Sequence, residues 1–474
     1  MLDREDPKIL WVSPDSSEPV GTYEKPFSSL SAALERVQPA GTVVLKRGIY
    51  SEDQTIEISG NAEQPIHICA ETEGEAIIES SCWYFYDTSD LVISGLVFKN
   101  APLGAVSVVG KCLRNRFHSL KFVDCGLNEK ASCTLYFGGA GGRFNLVENC
   151  QFIHKDSPQE QVSPENATVA LMVSEGDTEG GTPLKNHIFR RNLFNNYDCA
   201  ILLGSCDMCE LESGHIVEYN KIDRCSSAGI AVKCGDTQIR GNLIRKCRQD
   251  SIFLLSGHCS TVENNRVVDS GRGITVNGPG HTVVNNCIVR CTDSAVTACR
   301  SREKLQPASN LFIQENTIIS NDNEKACGLL LQQGTSGIVQ KNLFFGEGEA
   351  YRTENQDRKR SSELQFVIAD NLGSGGASEL NGISISEVSF KEIQNDNYSN
   401  ESGYGAQGWM LTPEAFDPDI DELTKDNNYV GASILEDENG NLIVPEETDK
   451  DEIFGTFIPD ALDPANMFFE EEDS

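Results

Sequence analysis

Short runs of alternating apolar and polar residues return along this chain at a nearly constant interval, each run leading into an asparagine. "HIFRRNLFNN" places Asn192, "HIVEYNKIDRC" Asn220, "TQIRGNLIRKC" Asn242 and "STVENNRVVDS" Asn265. "HTVVNNCIVRC", "LFIQENTIIS" and "GIVQKNLFF" then place Asn286, Asn316 and Asn342, so the steps are 28, 22, 23, 21, 30 and 26 residues. Upstream, Leu96, Leu120 and Cys150 fill the same slot in "ISGLVFKN", "HSLKFVDC" and "LVENCQF". Each unit is too short for a strand–helix–strand crossover but holds two or three strands. The pattern predicts an all-β fold, a right-handed parallel β-helix of about ten coils stacked about 4.8 Å apart. The slot asparagines would then form a ladder, each amide bonding to the next coil.

The cysteines five residues past the slot, Cys125, Cys225, Cys247 and Cys291, read as an inward stack of buried thiols, with a disulfide or metal cluster as the alternative. "CDMC", Cys206 to Cys209, is one isolated pair with weak zinc-site character. "KPFSSLSAALERVQPAG", residues 25–41, has Ser28 to Ser31 as candidate caps and Phe27, Leu30, Ala33, Leu34 and Val37 at helical spacing. The expected division is an N-terminal lead and capping helix over 1–41, the β-helix over 42–350, and a C-terminal cap with an acidic tail over 351–474.

One strand recurs about ten residues after each slot, at 201–204, 230–233, 252–255, 274–277, 296–299 and 329–332. Period-2 alternation sends its first and third residues inward. The outward columns are then Leu202, Ala231, Phe253, Thr275, Thr297, Leu330 and Gly204, Lys233, Leu255, Asn277, Cys299, Gln332. Lys233 is the single charged residue in either column. A solvated lysine that keeps the strand face soluble is the plain reading; a lysine presented for chemistry is the sharper one.

Composition narrows the partners. The 474 residues carry a formal charge of −33, which argues against nucleic acid and disfavours a polyanionic sugar unless positive charge is concentrated locally. Much of that acidity lies at the end: twenty Asp and Glu stand against two lysines between Glu414 and Ser474. No apolar stretch reads as a membrane span, and the start has no basic residues followed by an apolar run. With 17 cysteines, an odd number, a cytoplasmic chain of reduced thiols is the simplest expectation; a secreted chain whose signal had been removed would read the same. The sequons at Asn166, Asn397 and Asn400 carry weight only in that second case. Oligomeric state is not legible.

From about 40 to 350 the sequence resembles polysaccharide lyase family six, the group of chondroitinase B and the alginate lyases. The resemblance lies in an ordered succession of segments: "QPIHICAETEGEAIIES", "DLVISGLVFKNA", "TLYFGGAGGRFNLVENCQFIHKD", "GHIVEYNKIDRCSSAGIAVKCGDTQIRGN" and "STVENNRVVDSGRGITVNGPGHTVVNN". It implies β-elimination on uronic-acid polysaccharides, with calcium neutralising the C5 carboxylate, a lysine removing the C5 proton and an arginine assisting at the leaving oxygen. Lys233 falls on the base. The calcium carboxylates would fall near Ser226 and Ala228, the upstream acidic segment reads "NNYDCAILLGS" with Asp198 alone, and the arginine position reads "FLLSGH". Calcium is therefore implied by the resemblance while its ligands are missing, and no other metal or cofactor is expected.

His258, Arg272 and His281 stand close enough in the repeat to replace the missing groups, although His281 opens a coil as His187 and His215 do, which suits a structural turn. Phe253 could stack on a sugar and Asn277 could bind one. Two readings follow: a carbohydrate-active β-helix lyase with Lys233 as base and His258 or Arg272 assisting, or a non-catalytic β-helix scaffold that binds a glycan or protein on its neutral face.

Overall fold

The computed structural model describes residues 3–385 apart from 17–19, 128–131, 157–166, 175–183, 205–211, 301–305, 321–325, 347, 355–364 and 375–382, together with 435–436 and 442–443. The pair Cys206 and Cys209, the three sequons, most of the 157–183 insertion and the acidic tail lie outside the described residues.

Strands of three to six residues wind into a right-handed parallel β-helix of about 11 turns, close to the ten expected. Two sheets of 14 strands and one of 12 run along it. In one coil Ile216–Glu218 belongs to sheet I, Lys221–Asp223 to sheet II and Ala228–Val232 to sheet III, each pairing in parallel with the same element of the next coil. The inward residues form one core along the axis. Phe98, Phe122, Phe152 and Phe194 stack at 5.2, 4.7 and 4.8 Å between centroids. Ile222, Ile244, Val267 and Ile288 continue that line in the core.

Three corners turn each coil, and all three use the same device. A residue in the left-handed region is followed by a buried residue whose side chain reaches the neighbouring coil. Between sheets I and II the left-handed residues are Arg191, Tyr219, Gly241, Asn264, Asn285, Glu315, Lys341 and Asp370, each just before a ladder asparagine. Asn192 Nδ2 donates to Asn220 Oδ1 at 3.0 Å and to Val147 O at 3.0 Å, and the pattern repeats through Asn342. It runs one step beyond the sequence reading, to Asn371. Strands Gln365–Ala369, Asn371–Ser374 and Ile383–Ile385 accordingly join the same sheets, because Asp370 and Asn371 make the same corner after a long polar interruption.

The corner between sheets II and III holds Cys125, Cys225, Cys247 and Cys291, all buried free thiols. Burial pushes the thiols of Cys125 and Cys291 up. A hydrogen bond to Cys247, then burial, does the same at Cys225. The corner between sheets III and I carries a second polar ladder: Asn115, Asn145, His187 and His215 each accept from the backbone N–H of the preceding coil. Ser260 and His281 continue it.

A short helix, Leu30–Leu34, is N-capped by Ser29, which accepts from Ala32 N. Its Leu30, Ala33 and Leu34 pack in the core with Val12, Phe27 and Val43. A second compact unit covers 390–399 and 408–474. Of it, the described residues are the antiparallel pair Leu435–Glu436 and Leu442–Ile443. Among the described residues no helix is long and apolar enough to cross a membrane.

Candidate functional site

The outer face of sheet III presents the columns that alternation predicts. Leu202, Ala231, Phe253, Thr275, Thr297 and Leu330 are in register across six successive coils, and Arg352 adds a charge at the next. In the second column Lys233 N donates to Leu203 O at 2.7 Å, and Asn277 N to Leu254 O at 2.8 Å. Ile201, Ile230, Ile252 and Ile274 face the core, as expected.

Alternation breaks at one position per coil, occupied by Ala200, Gly229, Ser251, Gly273, Ala295 and Gly328. There the chain bends and a second residue in succession turns inward. A Cβ at Gly273 would lie 2.3 Å from Ala295 O and 2.8 Å from the Ile288 side chain, so the bend tolerates little bulk. The residue before the bend points out instead and makes a third outward column: Val169, Cys199, Ala228, Asp250, Arg272 and Ser294. Period-2 reading alone misses this column; the run of small residues is the signal that could have found it.

Within it Arg272 Nη2 meets Asp250 Oδ2 at 2.7 Å, and Thr275 Oγ1 donates to Asp250 Oδ1 at 2.5 Å. Asp250 is buried, and burial raises its pKa against the opposing pull of Arg272. Lys233 is 5% exposed; Ser256 Oγ donates to its carbonyl at 3.1 Å. On the same face Val169, Cys199, Leu202, Ala228 and Ala231 form an apolar cluster outside the core, with Phe253 and Leu255 packed against it. Asn277 Nδ2 donates to Leu254 O at 3.3 Å.

The structure thus brings Lys233, Phe253, Arg272 and Asn277 onto one face in neighbouring coils. His258 lies past the end of strand Asp250–Leu254, half-buried, in the space a side chain at Gly235 would fill, where a Cβ would come within 2.9 Å of its Nε2. His281 is set apart from that face. It is fully buried in the corner ladder, Nδ1 accepts from Ser260 N at 3.0 Å, and burial lowers its pKa to about 4.

The positions where the resemblance puts calcium do not fit the ion. Asp198 Oδ1 accepts from Ser226 Oγ at 2.5 Å and Oδ2 from Thr168 N at 3.0 Å, while Ala228 is sealed in the apolar cluster. One carboxylate already holding two donors beside an alanine is a poor set for a cation that takes six to eight oxygens.

The architecture and these columns define a right-handed β-helix, and a family model described as "right handed beta helix region" matches residues 75–288 and 176–344. The chain belongs to that family. Among curated proteins it is 31% identical over 107 residues to the uncharacterized protein YwoF of Bacillus subtilis (strain 168), spanning 20% of this chain and 23% of that one. Among solved structures it is similar to the PL6 family alginate lyase AlyGC, with TM-score 0.66 and 20% identity over 85% of this chain and 57% of that one. A mannuronic acid specific family 6 lyase from human gut microbiota matches at TM-score 0.58 and 20% identity, over 83% and 95% of the two chains. A PL6 alginate lyase in complex with a trisaccharide matches at 0.59 and 17%, over 87% and 96%. The chain therefore spans a little over half of AlyGC and under a quarter of YwoF; at these identities the structural likenesses establish the fold.

Proposed function

We propose that this is a carbohydrate-active β-helix protein that receives a uronic-acid polysaccharide on the outer face of sheet III and cleaves it by β-elimination at Lys233. One observation carries the reading: a lysine sits on an outward column whose neighbours Gly204, Leu255, Asn277, Cys299 and Gln332 are uncharged, in a fold similar to that of the family 6 lyases, and the sequence resemblance would put their base there. In the proposed step the Lys233 amine takes the C5 proton. The freed electron pair forms the C4–C5 double bond, the C4–O bond breaks, and His258 or Arg272 assists the departing oxygen. Phe253 and Asn277 would bind the sugar. No calcium takes part in the proposed step.

The test is the absorbance of unsaturated uronate product on alginate, pectate, chondroitin and dermatan. Product from the wild-type chain, abolished in Lys233→Ala, is expected; product that survives the substitution rejects Lys233 as base. The second reading, a non-catalytic glycan-binding scaffold, is favoured by the 5% exposure of Lys233 and by the commitment of Arg272 to Asp250. It requires binding without product on every polymer.

A further inference from the structure

The first coils of sheet III expose aromatic rings on the same face, well before Lys233. In strand Trp83–Tyr86, Trp83 and Phe85 are buried while Tyr84 and Tyr86 are 45% and 51% exposed. Tyr136, on strand Cys133–Gly138, shares the column of Tyr84 through Ser107, about 10 Å further along the axis. Its ring occupies the space above Gly138, where a Cβ would lie 2.3 Å from Cε1, and its hydroxyl is 3.5 Å from Ser174 O. The residues between are Ser107 and Val109, so no bulky side chain separates the rings.

Three cations line the turn that leaves this face in the next three coils. Lys111 N donates to Asp87 Oδ1 at 2.7 Å, directly after Tyr86. Arg143 and Lys185 follow, bridged in register to one another and to Leu113. Lys111 and Arg143 are exposed and Lys185 is half-buried. Nearby arginines are neutralised, Arg114 by Asp90 at 2.8 Å and Arg116 by Glu148. Among the described residues no ion pair engages Lys111, Arg143 or Lys185. Asp53 and Asp87, the acids beside the tyrosines, each accept a backbone N–H. In a chain of net charge −33, three cations with no ion pair among the described residues stand on the turns that follow the tyrosine-bearing coils.

We propose that this face is a separate binding platform for an acidic polysaccharide, with Tyr84, Tyr86 and Tyr136 stacking on sugar faces and Lys111, Arg143 and Lys185 meeting carboxylates or sulfates. The proposal rests on the polysaccharide reading above for its ligand class and is independent of chemistry at Lys233. Aromatic rings with one wet, hydrogen-bonding end suit the mixed apolar and hydroxylated surface of a sugar. Unpaired surface cations select acidic chains and make binding depend on salt.

Affinity electrophoresis and calorimetry of the full chain with alginate, pectate and chondroitin sulfate, and with a neutral glucan, test it. The Tyr84→Ala/Tyr86→Ala variant should bind the acidic polymers about tenfold more weakly or worse. So should Lys111→Ala/Arg143→Ala/Lys185→Ala, which alters only polar side chains and provides a second arm. Both should melt with the wild type. Unchanged affinity in both variants, or equal salt-independent binding of the neutral glucan, overturns the platform. A wild-type chain that binds these polymers through the tyrosines and cations but releases no product supports the platform and rejects the elimination.

Discussion

Asn265 Nδ2 donates to Ile239 O, Glu263 O and Asn286 Oδ1 at 2.8, 3.0 and 3.0 Å, while its Oδ1 accepts from Asn242 N at 3.0 Å and Asn242 Nδ2 at 2.9 Å. No other uncharged side chain of that size offers both two donors and a carbonyl, except glutamine, whose extra methylene would displace the ladder. Asn265→Ala leaves a buried N–H and a buried carbonyl without partners, each costing about 1–3 kcal/mol. The expected loss is roughly 3 kcal/mol, read from the urea midpoint at unchanged slope. A change within about 0.5 kcal/mol would mean that water or relaxed backbone replaces the amide. At this scale the sequence was informative, because an asparagine that recurs at coil spacing has one cheap explanation. The Lys233 column was legible for a similar reason, since alternation fixes which side of a strand a residue faces. The Arg272–Asp250 pair was not, because the bend at Ser251 and Gly273 shifts the outward position by one residue and hides the partner.

Among the elements, the corners say most about how the coils are closed. Arg191, Tyr219, Asn264, Glu315 and Lys341 share little chemistry, yet all adopt positive φ between 53° and 55°. Such conformations cost about 1–2 kcal/mol for an L-residue. The buried residue that follows each one offsets that cost by bonding to the adjacent coil, so stacking imposes the conformation even on Arg191, Tyr219, Glu315 and Lys341, while Gly241, Asn264, Asn285 and Asp370 are of the types that adopt it readily. The corner between sheets III and I has a further consequence. His187, His215 and His281 are buried there as neutral rings. Burial lowers His187 well below the usual imidazole range, His215 to about 3 and His281 to about 4. The unfolded chain binds protons near pH 6.5, so folding stability is fully present above that value and falls as pH drops towards the folded values. Each ring contributes about 1.4 kcal/mol per pH unit in that window. Urea midpoints should therefore hold from pH 8 to about 7 and fall steeply by about pH 5. His187→Asn/His215→Asn places in both slots the residue that Asn145 already uses one coil earlier, and should flatten the fall. An equally steep fall in that variant would assign the acid sensitivity to carboxylates such as Glu148, whose pKa is lowered by Arg116 and Arg190.

Over the whole molecule each coil touches chiefly the coil before and the coil after it, so stability is close to a sum of coil and interface terms. The interfaces differ in kind along the axis. The early coils join through stacked phenylalanines, Phe98 through Phe194, whereas the later ones join through branched aliphatics and the unbroken asparagine ladder. A weakened interface in the later coils should then open locally without loosening the earlier ones. Native-state hydrogen exchange on Asn265→Ala tests this directly. The amides of Gln238–Arg240, Thr261–Glu263 and Thr282–Val284, which flank the lost side chain, should exchange ten- to a hundredfold faster, matching a loss of about 1.4 to 2.7 kcal/mol in local opening. Those of Leu91–Ser94, Arg116–His118 and Leu146–Glu148 should keep their wild-type rates. A uniform acceleration of both groups would show one cooperative unit, with the ladder and the phenylalanine stack coupled across every coil between them. Local opening would instead mean that the tyrosine platform, built on the phenylalanine-stacked coils, keeps its geometry when the coils around Lys233 are perturbed.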